Sequence, residues 1–470
     1  MQGRESFLLV ARQCASELSS ESNKKVIVHD ASHDLLRVRC CEGLRGSGIN
    51  KSMFQESSRN TPRSRRSHVT WLIPCLLLVS GCGDDGGEGG AGGLGGIGGE
   101  RTTGAIVYVT NSGSNSVSGY TVTPATGGLA AIAGSPFPDV PTPSAIAVSP
   151  NGLFAYVANS QTNKVTAFRV GTNGSLLFGD SSAGNPNPVS VGTTPRALAI
   201  SSNSQFLYVA NSGSDDVTVF KIGTAGWLTL VSQAEGRSKP VGAGVSSPIA
   251  LVVTPNGRFL YVATSTSSMV TAFQVDTSGV LTLVPPAGPG TNPISSGGTG
   301  LTALALSPNG QFLYVTNGAS NNVTMFRVET SGLLTLIPPA GSNPISTGGT
   351  TPNGLTVAAN GAHLYIANGG GSVSAFSIGS SGLLTLVPAA GASPNPAPTL
   401  TGSTPVALAV SPDGLFLYVA NRATSVSGGT ISAYTIISGT GALVPVTQLL
   451  GNPFRAENSP SAIAALGPPS

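Results

Sequence analysis

Residues able to carry out acid–base or ligand chemistry are scarce in the second part of this sequence. From Arg101 onward there are eleven lysines and arginines, nine aspartates and glutamates, and a single histidine, His363. No acidic residue lies close to His363 in the sequence, so it lacks the carboxylate neighbour that often accompanies a proton-transferring histidine. We therefore expect His363 to be a packed or surface residue rather than a catalytic one.

Arg196 is the leading candidate for a ligand-binding residue. It follows a proline at the start of a short aliphatic segment, and a guanidinium there suits a carboxylate or phosphate. Asp215 and Asp216 suit pairing with Arg196, or Ca²⁺ binding together with carbonyl oxygens, and Asn353 offers a donor to a polar ligand. The alternatives are a structural ion pair for Arg196, a solvated turn for the two aspartates and a turn role for Asn353.

The rest of the composition limits the possible chemistry. All five cysteines precede Arg101, which leaves the later residues without a disulfide framework or a thiolate metal site. We find no phosphate-binding loop, nucleophile elbow or zinc-ligand spacing, and we predict neither a metal nor a cofactor. The charges after Arg101 nearly cancel, so there is no basic surface for nucleic acid.

These candidates are carried by an internal repeat whose marker is Tyr-Val-x-Asn. The marker tyrosines are spaced by 48, 52, 53, 53, 51 and 53 residues. They are Tyr108, Tyr156, Tyr208, Tyr261, Tyr314, Tyr365 and Tyr418. A period near fifty residues, with several strand signals in each unit, predicts the blades of a β-propeller.

Each unit contains four strand signals. A small aliphatic strand such as 407–410 is followed by a turn such as Ser-Pro-Asp-Gly at 411–414, and then by the marker strand. We expect the marker asparagine to close an Asx-turn. A third strand such as 217–222 and a fourth such as 281–284 complete the unit, and a proline directly after the fourth protects the outer edge.

The two ends of the repeat region indicate a closed ring. The first unit lacks its leading strand, and the segment 460–464 (Pro-Ser-Ala-Ile-Ala) repeats the leading strand at 143–147. We therefore predict an all-β fold over residues 101–470. It is a seven-bladed β-propeller of four-stranded antiparallel blades, closed by a C-terminal strand that completes the N-terminal blade, and we expect a monomer.

The residues before the repeats have the pattern of an export signal. In 63–82, arginines precede a short apolar run that ends at Val-Ser-Gly-Cys, which resembles a bacterial lipoprotein signal with lipidation of Cys82. A buried strand is the alternative. Residues 83–100 would be a Gly-rich tether, and 1–62 a disordered or mis-assigned extension, with Met53 as the expected start. We expect an exported lipoprotein of the outer membrane or cell surface, or a periplasmic protein.

The marker, the Ser-Pro-Asn/Asp-Gly turns and the Val-x-x-Phe third strands resemble the lactonase-type seven-bladed propellers, which include 6-phosphogluconolactonase. Members with lactone chemistry place a histidine after the proline that opens one leading strand, near the mouth of the central channel. We call the matching residues here the mouth positions. They are Ser144, Arg196, Ile249, Thr302, Asn353, Val406 and Ser461, and none is histidine.

A second family motif is also altered. The Asp-Leu-Gly-x-Asp motif of the third blade corresponds here to residues 211–215, Asn-Ser-Gly-Ser-Asp, so only its second aspartate is kept. These departures favour a binding module of the cell envelope, whose partner is a small molecule, a glycan or another envelope protein. The alternative is a lactonase in which Arg196 holds the substrate carboxylate and Asp215 is the base.

Overall fold

The computed structural model describes the chain in ten stretches. These are residues 27–29, 37–39, 104–179, 186–232, 246–286, 291–337, 343–389, 399–422, 428–446 and 452–467. The chain divides into two compact units, Met1–Gly92 and Gly93–Ser470. In the first unit, Ile27–His29 pairs antiparallel with Arg37–Arg39. The predicted signal peptide, Cys82 and the tether lie outside the described residues.

The second unit is the predicted seven-bladed β-propeller. Each of its seven sheets contains four antiparallel strands, and within the described residues five of the sheets carry one further short strand. The innermost strands contact one another in a closed ring around the central channel. They are Pro143–Val148, Pro195–Ile200, Pro248–Val253, Leu301–Leu306, Pro352–Val357, Pro405–Val410 and Pro460–Leu466. No helix occurs in the described stretches, and hence none there is able to span a membrane.

The second strand of each blade carries the marker and is completely buried. These strands are Ile106–Asn111, Phe154–Asn159, Phe206–Asn211, Phe259–Thr264, Phe312–Asn317, His363–Asn368 and Phe416–Asn421. The burial explains the run of apolar residues in the marker, because both faces of a sheet between two other blades are covered. We number the blades one to seven in this order.

The third and fourth strands form the outer part of each blade. The third strands are Ser116–Val122, Lys164–Val170, Asp216–Ile222, Met269–Val275, Asn322–Val328, Ser372–Ile378 and Thr430–Ile436. The fourth strands are Leu129–Ala131, Leu176–Phe178, Leu228–Leu230, Leu281–Leu283, Leu334–Leu336, Leu384–Val387 and Leu443–Pro445.

The outer edge differs from the prediction because it does not end at the proline after the fourth strand. In five blades a two-residue strand pairs with the other end of the third strand. These short strands are Val189–Ser190, Ile294–Ser295, Ile345–Ser346, Thr399–Leu400 and Phe454–Arg455. Between the two segments of blade four, the side chain of Asn292 replaces a strand backbone. It accepts from the Ala272 N–H at 2.9 Å and donates to the Ala272 carbonyl at 2.8 Å.

The ring is closed within blade one, as predicted. Pro460–Leu466 pairs antiparallel with Ile106–Asn111, from Ile106 opposite Leu466 to Asn111 opposite Pro460. The Ser461 hydroxyl lies 2.9 Å from that of Thr110 and donates to the Pro143 carbonyl of blade two at 2.6 Å. The closing strand therefore joins blade one internally and also fastens it to its neighbour.

Neighbouring blades are joined by the marker tyrosines. Tyr156 is fully buried, and its hydroxyl donates to the carbonyl of Gly226 in the next blade at 2.9 Å. Six of the seven tyrosines make the equivalent bond, and Tyr418 donates to Gly127 of blade one across the closure. Burial raises the pKa of Tyr418 far above its usual value, so the hydroxyl stays neutral. The marker tyrosine is thus a packing residue.

The marker asparagine does not form the predicted Asx-turn. In blade three the Asn211 amide donates to the Thr218 hydroxyl on the third strand at 2.9 Å. Its Oδ1 is buried and accepts no hydrogen bond from a described residue, and the same holds for the marker asparagine of four other blades. An Asx-turn requires that oxygen as an acceptor. The asparagine instead bridges the second and third strands at the end of the blade where the inner strand begins.

Candidate functional site

The mouth positions lie where the seven inner strands begin, and most of their polar side chains bond to the next blade. Each bond runs to the backbone carbonyl of the first residue of the neighbouring inner strand. The four bonds are Ser461 to Pro143, Ser144 to Pro195 and Thr302 to Pro352, each at 2.6 Å, and Asn353 to Pro405 at 2.9 Å. Four of the seven mouth residues therefore help to hold the ring together.

The other three mouth positions, Arg196, Ile249 and Val406, make no such bond. Ile249 and Val406 have no polar side-chain atom, and both pack against the apolar cores between blades. Arg196 is exposed, and no hydrogen bond or ion pair joins its side chain to another described residue. The mouth is therefore irregular although the fold repeats.

Arg196 is the only charged residue in the seven inner strands. The proline before it is buried and begins the strand, and a register shift between Pro195 and Ala197 interrupts the pairing with the marker strand at this point. A residue at such a bulge is turned out of the regular pleat. An exposed guanidinium that pairs with no described residue is suited to bind an anionic group.

Asp215 is held in a structural turn. It has a left-handed φ of 56°, and its carboxylate accepts from the backbone N–H of Ser247 at 2.6 Å, just before the inner strand of blade four. Asn163 and Asn321 occupy the same turn in their blades and make the same bond, to Thr194 and Thr351. Asp215 therefore performs a linking role that asparagine performs elsewhere in the ring.

Asp216 lies on the same side of blade three as Arg196. Pro195 of the inner strand is paired with Asn211 of the second strand, and Asn211 is paired with Asp216 of the third strand. Asp216 is therefore two strand spacings, about 10 Å, from the inner strand. Its Oδ1 accepts from the Asn211 amide at 2.6 Å. Burial raises the pKa of Asp216, and hydrogen bonds from Asn211 and Ser214 partly oppose this. Asp216 is consequently a stronger base than an ordinary aspartate.

The structure therefore brings the predicted site residues to one end of the propeller but does not bond them to one another. Asp215 and Asp216 share the third blade with Arg196, whereas Asn353 lies in blade six and its amide is already bonded to Pro405. None of the described residues form a cluster of three or more histidines, cysteines or acids fit for a metal ion. The site roles proposed for these four residues stay predictions.

His363 is a packed residue, as expected. It begins the marker strand of blade six, at the end away from the mouth, and it is 5% exposed. It occupies the position that phenylalanine fills in five other blades. Its ring packs on Gly441 of blade seven, where a Cβ added to the glycine would lie only 2.1 Å from the His363 Cδ2 atom. Burial lowers the pKa of His363, partly opposed by a hydrogen bond to the Thr440 backbone.

A shallow groove of about 410 Å³ lies on the outside of blades three and four, at the end of the strands opposite the mouth. Phe206, Leu230 and Val280 supply apolar surface, and Lys221 contributes a charge. Gln205, Thr229, Val231, Ser232, Thr277 and Ser278 complete its lining. None of the predicted site residues lines the groove. Arg196 belongs to blade three, as part of the groove does, but it lies at the opposite end of that blade.

The interblade bonds of the mouth could not be found by searching for functional motifs. The mouth position holds six residue types in seven blades, with only serine occurring twice, so it does not stand out as a repeat. The available signal is weaker: Ser144, Thr302, Asn353 and Ser461 are all donors at one position of otherwise aliphatic strands. A buried or half-buried donor in such a strand requires a partner.

Seven four-stranded sheets in a closed ring, with a single charged side chain at the start of one inner strand, define a seven-bladed β-propeller with its candidate site at the channel mouth. The family described as "Lactonase, 7-bladed beta-propeller" matches residues 101–245 and 243–401. The chain belongs to this lactonase family.

Two relatives show the sequence similarity. The 6-phosphogluconolactonase of Yersinia enterocolitica is 26% identical over 211 residues, which are 44% of this chain and 60% of the relative. The 6-phosphogluconolactonase of Yersinia pestis is 25% identical over 216 residues, with the same coverage. The chain thus spans 60% of the length of the curated relatives it matches.

Solved structures share the fold. The periplasmic gluconolactonase of Pseudomonas aeruginosa has a TM-score of 0.58 and 20% identity, covering 78% of this chain and 99% of that one. A Bacteroides fragilis protein, provisionally named a 6-phosphogluconolactonase, has a TM-score of 0.60 at 20% identity, with coverage of 78% and 99%. At these identities the similarity concerns the fold alone.

Proposed function

We propose that this protein hydrolyses a small sugar lactone at the channel mouth. The observation that carries the proposal is its membership of the lactonase family together with an exposed Arg196 at the mouth that pairs with none of the described residues. The named relatives act on 6-phosphogluconolactone or gluconolactone, and these are the substrates that we propose for this chain. The comparisons thus favour the lactonase over the envelope binding module.

The reaction needs water to add to the ester carbonyl, after which the ring C–O bond breaks and an open hydroxy acid is released. In our proposal the Arg196 guanidinium binds the phosphate of a phosphorylated lactone, or stabilises the negative charge that develops on the carbonyl oxygen. Asp216, whose pKa is raised by burial, takes the proton from the attacking water. Asp215 is the less suitable base, because its bond from the Ser247 N–H is one that asparagine, which is not a base, makes in other blades, so the residue is accounted for as a link between blades.

We further propose that the enzyme is exported as a monomer and held at the cell envelope through lipidated Cys82. The support is the signal-like pattern of residues 63–82 and the Gly-rich composition of 83–100. A tether of this composition would keep the propeller close to a membrane without fixing its orientation.

The second candidate function is binding without turnover. Two observations favour it: no mouth position is a histidine, and no carboxylate of the described residues lies within ion-pair distance of Arg196. Under this hypothesis the same guanidinium would hold a carboxylate or phosphate of a small molecule, a glycan or an envelope protein.

Hydrolysis of 6-phosphogluconolactone and of gluconolactone by the purified protein tests the proposal. We expect Arg196→Ala to lower kcat/KM for the phosphorylated lactone roughly 10- to 100-fold, because a hydrogen bond to a charged group contributes about 1.5–3 kcal/mol. The matched control is Lys221→Ala, which removes one positive charge at the opposite end of the same blade. It should leave kcat/KM within about twofold of the parent.

Two outcomes would contradict the proposal, the first for the lactonase activity and the second for the role of Arg196. Ring opening no faster than the uncatalysed reaction would overturn it, and saturable binding of the product 6-phosphogluconate by the same preparation would then support the binding module. Equal losses in Arg196→Ala and Lys221→Ala would show that the charge of the whole molecule, rather than a contact at the mouth, governs the rate.

A further inference from the structure

The ring of interblade hydrogen bonds at the mouth has gaps, and two of these gaps are next to each other. Inner-strand carbonyls of four blades accept a side chain from the preceding blade, at Pro143, Pro195, Pro352 and Pro405. The three equivalent carbonyls receive no such donor, because the preceding mouth residues are Arg196, Ile249 and Val406. The carbonyls concerned are those of Pro248, Leu301 and Pro460.

Two of these three carbonyls are neighbours. Pro248 begins the inner strand of blade four and Leu301 that of blade five, and these inner strands contact each other. The Pro460 carbonyl is isolated, since both neighbouring carbonyls, Pro405 and Pro143, accept side chains. We call the group formed by Arg196, Ile249 and the carbonyls of Pro248 and Leu301 the open arc.

We infer that the open arc is a subsite for a polyhydroxylated ligand with one anionic end. This inference rests on the proposed function and specifies where its substrate binds. The bonds of 2.6 Å made by Ser144 and Thr302 show that a hydroxyl can reach the equivalent carbonyls. In the open arc a ligand hydroxyl takes the place of the missing side chain.

The chemistry of the open arc fits a sugar acid or its lactone. Backbone carbonyls only accept hydrogen bonds and the guanidinium only donates them, so the arc offers hydroxyl acceptors next to an anion donor. Ile249 is half-buried against the core between blades four and five, and the exposed part of its side chain offers an apolar surface to the carbon skeleton. A neutral apolar ligand would leave the carbonyls and the guanidinium without partners, which disfavours its binding.

The chain itself provides the variant that closes the arc and a matched control. Ile249→Thr introduces the hydroxyl that Thr302 uses toward Pro352 in the next blade, here directed to the Leu301 carbonyl. Val406→Thr introduces the same hydroxyl toward the isolated Pro460 carbonyl. Each variant changes one aliphatic mouth residue into threonine, so general effects on the mouth are the same in both.

The test is calorimetric titration of the full chain and both variants with gluconate and with 6-phosphogluconate. We expect Ile249→Thr to weaken binding about three- to tenfold, in keeping with the loss of one hydrogen bond, and Val406→Thr to change it less than twofold. Crystal structures of both variants should show the new hydroxyl within hydrogen-bond distance of its carbonyl.

Equal effects of the two substitutions, or no saturable binding of either compound to the parent protein, would overturn the inference. A third outcome is that Ile249→Thr weakens binding and Val406→Thr does not, while the parent protein opens no lactone. This result would overturn the proposed hydrolysis and leave the open arc as a binding subsite. The two conclusions can therefore fail separately.

Discussion

The hydroxyl of Tyr208 is the exception among the marker tyrosines. The other six donate to a glycine carbonyl of the next blade, at distances from 2.6 to 3.1 Å. The Tyr208 hydroxyl is buried and has no hydrogen-bond partner among the residues that the structure describes. A buried polar group without a partner costs about 1–3 kcal/mol, so the interface between blades three and four contains an unfavourable contribution that the others lack.

Removing this hydroxyl should stabilise the protein. We expect Tyr208→Phe to raise the free energy of unfolding by about 1 kcal/mol, since no hydrogen bond is lost with it. Tyr156→Phe is the matched control, because it removes a hydroxyl that donates to Gly226, and it should lower the free energy by about 1 kcal/mol. Urea unfolding of both variants measures the difference. Losses of equal size would show that Tyr208 is bonded in solution.

His363 makes the stability of blade six depend on pH. Because burial lowers its pKa in the folded protein, the unfolded chain binds the proton more tightly than the folded one. The contribution of the neutral imidazole is complete above the unfolded pKa of about 6.5 and is lost as the pH falls through the lower, folded value. The free energy of unfolding therefore decreases on acidification.

Substituting His363 by phenylalanine, the residue of five other blades, should remove this dependence. We expect the difference in free energy of unfolding between His363→Phe and the parent to grow as the pH is lowered from 7 to 5, with the variant the more stable. Phe416→His is the complementary variant and should introduce a similar dependence into blade seven. A difference that does not vary with pH would contradict the lowered pKa.

At this scale the sequence identified the candidate residues but not their contacts. Arg196 was found because it is the only charge at a mouth position, and His363 because it is the only histidine of the repeats. The bond from Asn353 to Pro405 joins residues 52 positions apart in two neighbouring blades, and therefore depends on how these blades pack rather than on a local sequence pattern.

Among the elements, the outer edge of the blades was the least predictable. The short strands there contain only two residues and thus have no periodicity to detect. An Asn-Pro pair precedes several of them, as at Asn187 and Asn292, and its side chain bonds to the third strand. The repeated Asn-Pro pair was the one sequence signal for these short strands. Its distance from the marker varies, because the connection between the fourth strand and the short strand differs in length from blade to blade.

The closing strand is the element on which the ring depends. Without Pro460–Leu466, the marker strand of blade one loses its inner partner and the bonds from Ser461 to Thr110 and Pro143. We expect a chain that ends at Ser459 to melt roughly 10 °C or more below the parent and to aggregate through the exposed strand edge. Differential scanning calorimetry and light scattering measure the two effects.

A chain that ends at Gly467 is the control, because it keeps the whole strand. A synthetic peptide of residues 459–467 should restore part of the lost stability to the shorter chain by occupying the vacant edge. Equal melting temperatures for the two truncated chains would show that blade one is stable with three strands.

For the whole molecule, the repeat spacing and the match between residues 460–464 and 143–147 were sufficient to predict seven blades and their closure. A propeller is specified by repeated local pairing, which a sequence displays many times. Function depends on the departures from the repeat, and these occur in several blades. Examples are Arg196 in blade three, threonine in place of the marker asparagine at Thr264 in blade four, and Asn353 in blade six.

Blade one is built from both ends of the repeat region, and this affects how the number of blades in such a ring can change. Because one sheet takes its inner strand from the end of the repeat region and its other three from the beginning, the sequence repeat is offset by one strand from the structural blade. An inserted or deleted repeat would leave that shared sheet intact, and the ring could widen or narrow without creating a free edge. Joining the first and last strands of the repeat region and opening the chain at a turn in another blade should likewise give a circular permutant with the same ring.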